Sequence, residues 1–185
     1  MAATRSLDEL LQDPGWQDWR WQMDHAVRSV EALSALLRLP ASQTEALRMV
    51  VERYPVVATP YYLSLARTAD RGDPVLAQVC PDLRELADCP DGDPDPLAEE
   101  RDSPVPGLVH RYPDRALLVL CTACAVHCRH CMRKRAWGHG GAMLSPSAIA
   151  AAVATIRAPP QIREVLVSGR DPLLPPDDRP VEVLK

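Results

Sequence analysis

Apolar positions in the first third of the chain recur at helical spacing. Ser6-x-x-Glu9 has the form of a capping box ahead of Leu7, Leu10 and Leu11, and Asp13-Pro14-Gly15 then breaks that short helix. Trp19, Met23, Ala26, Val30 and Leu33 share one helical face, which predicts an amphipathic helix from about Trp16 to Leu37, ending before Pro40. Ser42-x-x-Glu45 opens another, with Ala46, Leu47, Val50 and Val51 on its apolar side and Pro55 beyond its end. Thr59-Pro60-Tyr61-Tyr62-Leu63 is a further helix start with proline at the first helical position. Residues 1–88 therefore read as a helical region. The Pro-, Asp- and Glu-rich residues 89–106 read as an extended linker.

Beyond the linker the period changes. Ala116-Leu117-Leu118-Val119-Leu120 is a continuous apolar run of strand length, as expected of a strand buried on both faces. Ser145-Pro146 caps an alanine-rich helix striped by Ile149, Val153 and Ile156, which stops before Pro159-Pro160. Glu164-Val165-Leu166-Val167 predicts a second buried strand and completes one βαβ unit, so residues 107–185 are expected to begin a parallel sheet. The fold class is α/β. Only about two strands precede Lys185, and the expectation is a fragment or remnant of a longer α/β protein.

With 185 residues, of which 46% are hydrophobic, the chain can bury a core without disulfides. Its 21 basic against 25 acidic residues give a net charge of −4, which offers no global field for nucleic acid or an anionic membrane. No apolar run approaches the roughly 20 residues of a membrane-spanning helix, and the first residues turn acidic before any apolar stretch, so no secretory signal is read and a cytoplasmic protein is expected. The only lysines are Lys134 and Lys185.

Four of the six cysteines lie in Cys121-Thr-Ala-Cys124-Ala-Val-His-Cys128-Arg-His-Cys131. Structural zinc sites space their Cys-x-x-Cys pairs by about 15–20 residues so that the chain can wrap a tetrahedron. Thiolates this crowded suit an iron–sulfur cube. If Cys124, Cys128 and Cys131 bind alone, one iron stays open for a substrate or cofactor. If Cys121 joins them, the cluster is closed, although its place at the strand end favours a buried thiol. Zinc or unliganded thiols remain the competing reading. Cys80 and Cys89, outside the constellation, read as small buried or incidental residues, and His127 as loop packing.

Cys-x-x-x-Cys-x-x-Cys just after a buried strand resembles the radical S-adenosylmethionine superfamily. Asp102-Ser-Pro-Val-Pro-Gly-Leu-Val-His-Arg-Tyr-Pro-Asp-Arg115 and Cys128-Arg-His-Cys131-Met-Arg-Lys-Arg135 are similar to the lysine 2,3-aminomutase family. Trp16-Gln-Asp-Trp-Arg-Trp-Gln22, Thr59-Pro-Tyr-Tyr62 and Ser168-Gly-Arg-Asp-Pro-Leu173 extend the resemblance along essentially the whole chain, as an N-terminal part of that family. The resemblance implies a helical region followed by a partial β/α barrel, truncated here after about two strands. It also implies a 4Fe-4S cluster on Cys124, Cys128 and Cys131, whose open iron chelates S-adenosylmethionine for one-electron cleavage to methionine and a 5′-deoxyadenosyl radical. The reaction implied is pyridoxal phosphate-dependent migration of an amino group between α- and β-carbons of an amino acid, with lysine the first expectation and glutamate, arginine or a protein-bound lysine the others.

By the same resemblance Ser168, Gly169 and Asp171 would approach S-adenosylmethionine, Arg111, Arg115 and His130 the pyridoxal phosphate group, and Arg133 the substrate carboxylate, for which arginine offers a two-pronged donor. The competing reading of Arg133, Lys134 and Arg135 is a solvated charged turn. Gly138 to Gly141 would let the loop turn back. Arg170 stands where the family carries a second glycine, and a positive φ there would cost about 1–2 kcal/mol. Neither lysine fits the Schiff base that pyridoxal chemistry requires. The expectation is therefore a piece unable to complete the reaction alone, with a complementing C-terminal chain or a homo-oligomer, and a reducing partner for the cluster. The alternatives are a non-enzymatic iron–sulfur or zinc module, or a degenerate remnant.

Overall fold

The computed structural model describes residues 6–68, 72–87, 89–137, 143–158 and 161–175, and it is mixed α/β. The Gly138–Gly141 turn lies outside the described residues. The chain divides into two compact units, one of residues 1–91 with 125–134, the other of residues 92–124 with 135–185.

In the first unit, short polar side chains set where each helix starts. α1 (Leu7–Leu11) carries the capping box read from Ser6 and Glu9. The single helix expected over 16–37 is instead two, α2 (Trp19–Asp24), capped by Asp18, and α3 (Val30–Leu37), capped by Ser29. The break has a physical cause: buried Val27 exchanges backbone hydrogen bonds of 2.8 and 3.1 Å with Ala58, which takes its N–H and C=O out of any helix. α4 (Ala41–Arg53) begins after Pro40 with no side-chain cap. Ser42 lies inside it and Glu45 pairs with Arg48, so the second capping box is not formed. α5 (Pro60–Ser64) starts where Thr59-Pro60 placed it, the Thr59 hydroxyl accepting from the Tyr62 N–H. α6 (Pro74–Ala77) and a 3-10 turn at Leu83–Leu86 are capped by Asp73 and Asp82. Val27, Leu33, Val56, Ala58, Leu63, Leu76 and Val79 form the core.

In the second unit, β1 (Leu108–Tyr112) and β2 (Arg115–Cys121) form an antiparallel hairpin turned at Pro113-Asp114, and β3 (Glu164–Gly169) runs parallel to β2, giving the order β1-β2-β3. α7 (Pro146–Arg157), capped by Ser145, joins the parallel pair, so the βαβ unit is present as read. Ala116, Leu118 and Leu120 of β2 are nearly inaccessible, and the first two pack with Leu108 and Ala152. The reading of β3 as a buried strand is corrected: Val165 and Leu166 are 36% and 46% exposed, because β3 is an edge strand of this sheet. Residues 92–106 form turns around Arg135, which pairs with Asp95 at 2.8 Å and Glu100 at 3.1 Å. Arg135 is thus held in ion pairs and is not a solvated charge. Among the described residues no helix is long and apolar enough to cross a membrane.

Candidate functional site

Residues 125–134 belong to the first unit, and backbone pairing holds them there. Val126 bridges to Ala58, the His127 N–H donates to the Val57 carbonyl at 2.8 Å, and the Arg129 N–H donates to the Gln78 carbonyl at 2.7 Å. The buried His127 ring donates through Nδ1 to the Pro55 carbonyl at 3.0 Å, so it packs the loop as expected. Cys128 and Cys131 bracket one turn, closed by a 2.8 Å bond from the Cys131 N–H to the Cys128 carbonyl. Burial pushes the Cys128 thiol up, and the neighbouring Cys131 adds to the effect. Burial and the nearby Cys128 likewise raise the Tyr62 phenol.

Between these cysteines, Arg129 turns inward. Its Nε and Nη2 donate to the two oxygens of Glu85 at 3.0 and 2.8 Å, and Nη1 donates to the carbonyls of Tyr54 and Pro55 at 3.1 and 3.3 Å. Lys134 joins Glu85 and lies 4.2 Å from the centre of the Tyr54 ring, so it too is no solvated charge. Burial alone would raise the Glu85 carboxyl, but hydrogen bonds from Arg129 and Lys134 outweigh it and hold the group below its ordinary value. His130 is exposed on a cleft of about 430 Å³ that Cys80, Arg84 and Glu85 also line. Arg133 is half-buried just beyond Cys131. Sequence reasoning missed Glu85 and the inward role of Arg129. The signal was available in the capping pattern Asp82-x-x-Glu85, which fixes where the carboxylate stands.

Cys124 belongs to the second unit, as do Cys121 and Ser168 to Asp171. Cys121 is buried, and its thiol donates to the Asp171 carbonyl at 3.0 Å, in keeping with the buried-thiol reading. Gly169 has φ +139°, and a Cβ there would lie 2.5 Å from the Cys121 carbonyl oxygen. The close backbone approach thus falls on the glycine that is present. Arg170 is not among the residues of positive φ, so the backbone penalty considered for it does not arise. Its N–H donates to the Cys121 carbonyl at 3.3 Å, and the Asp171 N–H to the Ala123 carbonyl at 3.0 Å. Arg115 opens β2 at the end opposite Cys121, six residues or about 20 Å away at ~3.3 Å per residue. It pairs with Asp114 at 3.2 Å, while Arg111 donates to the Leu97 carbonyl at 3.2 Å.

None of the six cysteines forms a disulfide, and Cys124, Cys128 and Cys131 are partly accessible. Among the described residues no group of three or more His, Cys, Asp or Glu side chains is gathered to hold a metal ion. The donor chemistry of the Cys128–Cys131 turn nevertheless fits a thiolate-bound cluster, because both thiols lie on one short turn and metal binding itself supplies free energy for drawing ligands together.

No family model matches the chain. Comparison with curated proteins places this mixed α/β chain among aminomutase sequences. It is 42% identical over 168 residues, 91% of its length, to the L-lysine 2,3-aminomutase of Clostridium subterminale, and 40% identical over 159 residues, 86% of its length, to that of Bacillus subtilis. It is also 34% identical over 163 residues to the glutamate 2,3-aminomutase of Clostridioides difficile. The chain spans 40%, 34% and 38% of these relatives' lengths. Over the residues it contains, the chain is a homologue of the lysine 2,3-aminomutase family.

Proposed function

We propose that this chain carries the iron–sulfur and S-adenosylmethionine-binding part of a pyridoxal phosphate-dependent amino acid 2,3-aminomutase, with lysine as the first substrate to test. One observation carries the reading: the cysteine triplet follows β2 in a chain 42% identical to a lysine 2,3-aminomutase. The β2–α7–β3 unit is read as the opening of a β/α barrel, whose chemistry gathers at the C-terminal ends of the strands. Cys121 and Gly169 pair at that end. Cys124, Cys128 and Cys131 would hold the cluster, leaving the Cys121 thiol on its carbonyl partner. Ser168, Gly169 and Asp171 would receive S-adenosylmethionine, where the glycine lets a backbone pass close. Arg111 and His130 would bind the phosphate of pyridoxal phosphate and Arg133 the substrate carboxylate, whereas Arg115, at the far end of β2 from Cys121 and paired with Asp114, is left out of that set. When bound, these groups supply one-electron chemistry and an electrophilic anchor for the migrating amine. Six cysteines outside any disulfide suit a reducing, cytoplasmic setting, where a reducing partner would serve the cluster.

Anoxic reconstitution of the chain tests the reading. About four irons and four sulfides per chain are expected, with an electron paramagnetic resonance signal that shifts on adding S-adenosylmethionine. Stoichiometric zinc without sulfide, or a signal indifferent to S-adenosylmethionine, would overturn it.

A further inference from the structure

The cysteine turn is fastened by the side chain that lies between its two thiols. Arg129 reaches three separate stretches of the first unit: the end of α4 through the Tyr54 and Pro55 carbonyls, the residue after α6 through the Gln78 carbonyl, and the 3-10 turn through Glu85. Its side chain is only 7% exposed. Glu85 is fixed in turn. Its Oε1 accepts from the Asp82 N–H at 2.8 Å and from Arg129 Nε, while Oε2 accepts from Arg129 Nη2 and from Lys134. Both carboxylate oxygens are therefore engaged twice, and Lys134 also donates to the Arg129 carbonyl at 3.3 Å, closing the turn from its far side. An arginine held at its guanidinium fork and at its backbone N–H leaves residues 128–131 little freedom to swing.

We propose that Arg129, oriented by Glu85, is the positioning residue of the Cys128–Cys131 turn, setting both thiols for one metal centre before metal arrives. The proposal rests on the cluster reading above, but its geometry concerns the thiol pair. Partners that orient metal ligands typically contribute about 10–100-fold to metal affinity, because a disordered ligand must be ordered at the expense of binding.

The test compares the parent chain with Arg129→Met, Arg129→Lys, Glu85→Gln and, as a control, Gln22→Ala. Buried Gln22 bridges the Trp16 carbonyl and the Tyr61 N–H at 2.7 Å each, so its loss weakens the same unit without touching the turn. Each chain is reconstituted anoxically and challenged with a chelator, and its paramagnetic spectrum is recorded. In parallel, the iron-free chains are titrated with a trivalent arylarsenical, which must bridge two thiols, against a Cys128→Ser blank.

Arg129→Met and Glu85→Gln are expected to lose the cluster at about tenfold lower chelator, to broaden its signal and to bind the arsenical about tenfold more weakly. Arg129→Lys, which keeps the charge but not the fork, should fall between. Gln22→Ala should lower the unfolding midpoint yet keep the parental spectrum and arsenical affinity. Parental values in a folded Arg129→Met or Glu85→Gln chain would overturn the proposal, as would equal loosening in Gln22→Ala. If Arg129→Met does not fold, Glu85→Gln and Arg129→Lys decide. A parent without a cluster but with the arsenical pattern sinks the aminomutase reading and leaves the positioning role supported.

Discussion

Replacing Glu85 by alanine strips the inward guanidinium of the carboxylate that engages its fork. The Arg129 and Glu85 side chains are 7% and 11% exposed, so water screens the pair poorly. Removing one partner of such a buried pair costs about 3–5 kcal/mol, mainly because the surviving charge stays buried. The carbonyls of Tyr54 and Pro55 still accept from Arg129, which places the expected loss near the lower bound, about 3 kcal/mol. In urea, with a slope of about 2 kcal/mol per molar, the midpoint should fall by about 1.5 M. The assay is anaerobic equilibrium unfolding of the reduced chain, followed by far-UV circular dichroism, with Arg129→Met and the double variant completing a cycle. The double variant should lose about 1–3 kcal/mol less than the sum of the singles, since it removes the buried guanidinium together with its carboxylate. The pH dependence has a definite sign. A carboxyl whose folded pKa is depressed contributes stability above its unfolded value, about 4.3, and loses it as pH falls through the lower folded value. Parent and Glu85→Gln should therefore differ at neutral pH and converge in acid. A Glu85→Ala midpoint within about 0.5 kcal/mol of the parent would refute the reasoning, because that is the range of substitutions that touch nothing.

Gly169→Ala places a methyl group 2.5 Å from the Cys121 carbonyl at a φ reserved for glycine, so it should destabilise the second unit by at least the ~1–3 kcal/mol of a strained backbone, seen as faster hydrogen exchange in β2 and β3. Cys121→Ser should leave iron loading unchanged while Cys128→Ser abolishes it, and loss in both would make Cys121 a ligand. Gln22→Ala leaves the Tyr61 N–H and Trp16 carbonyl without their partner and should cost about 1–3 kcal/mol by thermal unfolding, with no effect on the cysteine turn.

Where local chemistry decides structure, the sequence could be read directly. Ser6, Thr59 and Ser145 announced their helices because each cap is satisfied within three residues. The βαβ unit was legible because an apolar run, a capped helix and a second run leave few alternatives. Errors arose where a distant partner intervened. The break at Val27 depends on Ala58, and no periodicity in residues 16–37 encodes it. β1 escaped notice because Leu-Val-His-Arg-Tyr does not alternate cleanly, although Tyr112-Pro-Asp-Arg115 offered a turn. At the site, the cysteine spacing was plain, and the exemption of Arg170 from strain required the backbone itself. The competing reading of Lys134 and Arg135 as a solvated turn fails because each is satisfied by acidic residues more than 30 positions away in sequence, Glu85 for the one and Asp95, Glu99 and Glu100 for the other.

The backbone stitches from residues 126–129 to Val57, Ala58 and Gln78 make the thiol turn a lodger in the helical core. Melting that core and unmasking Cys128 should accordingly be one cooperative event, so that alkylation of this thiol during heating would report the survival of the surrounding helices as faithfully as an optical probe.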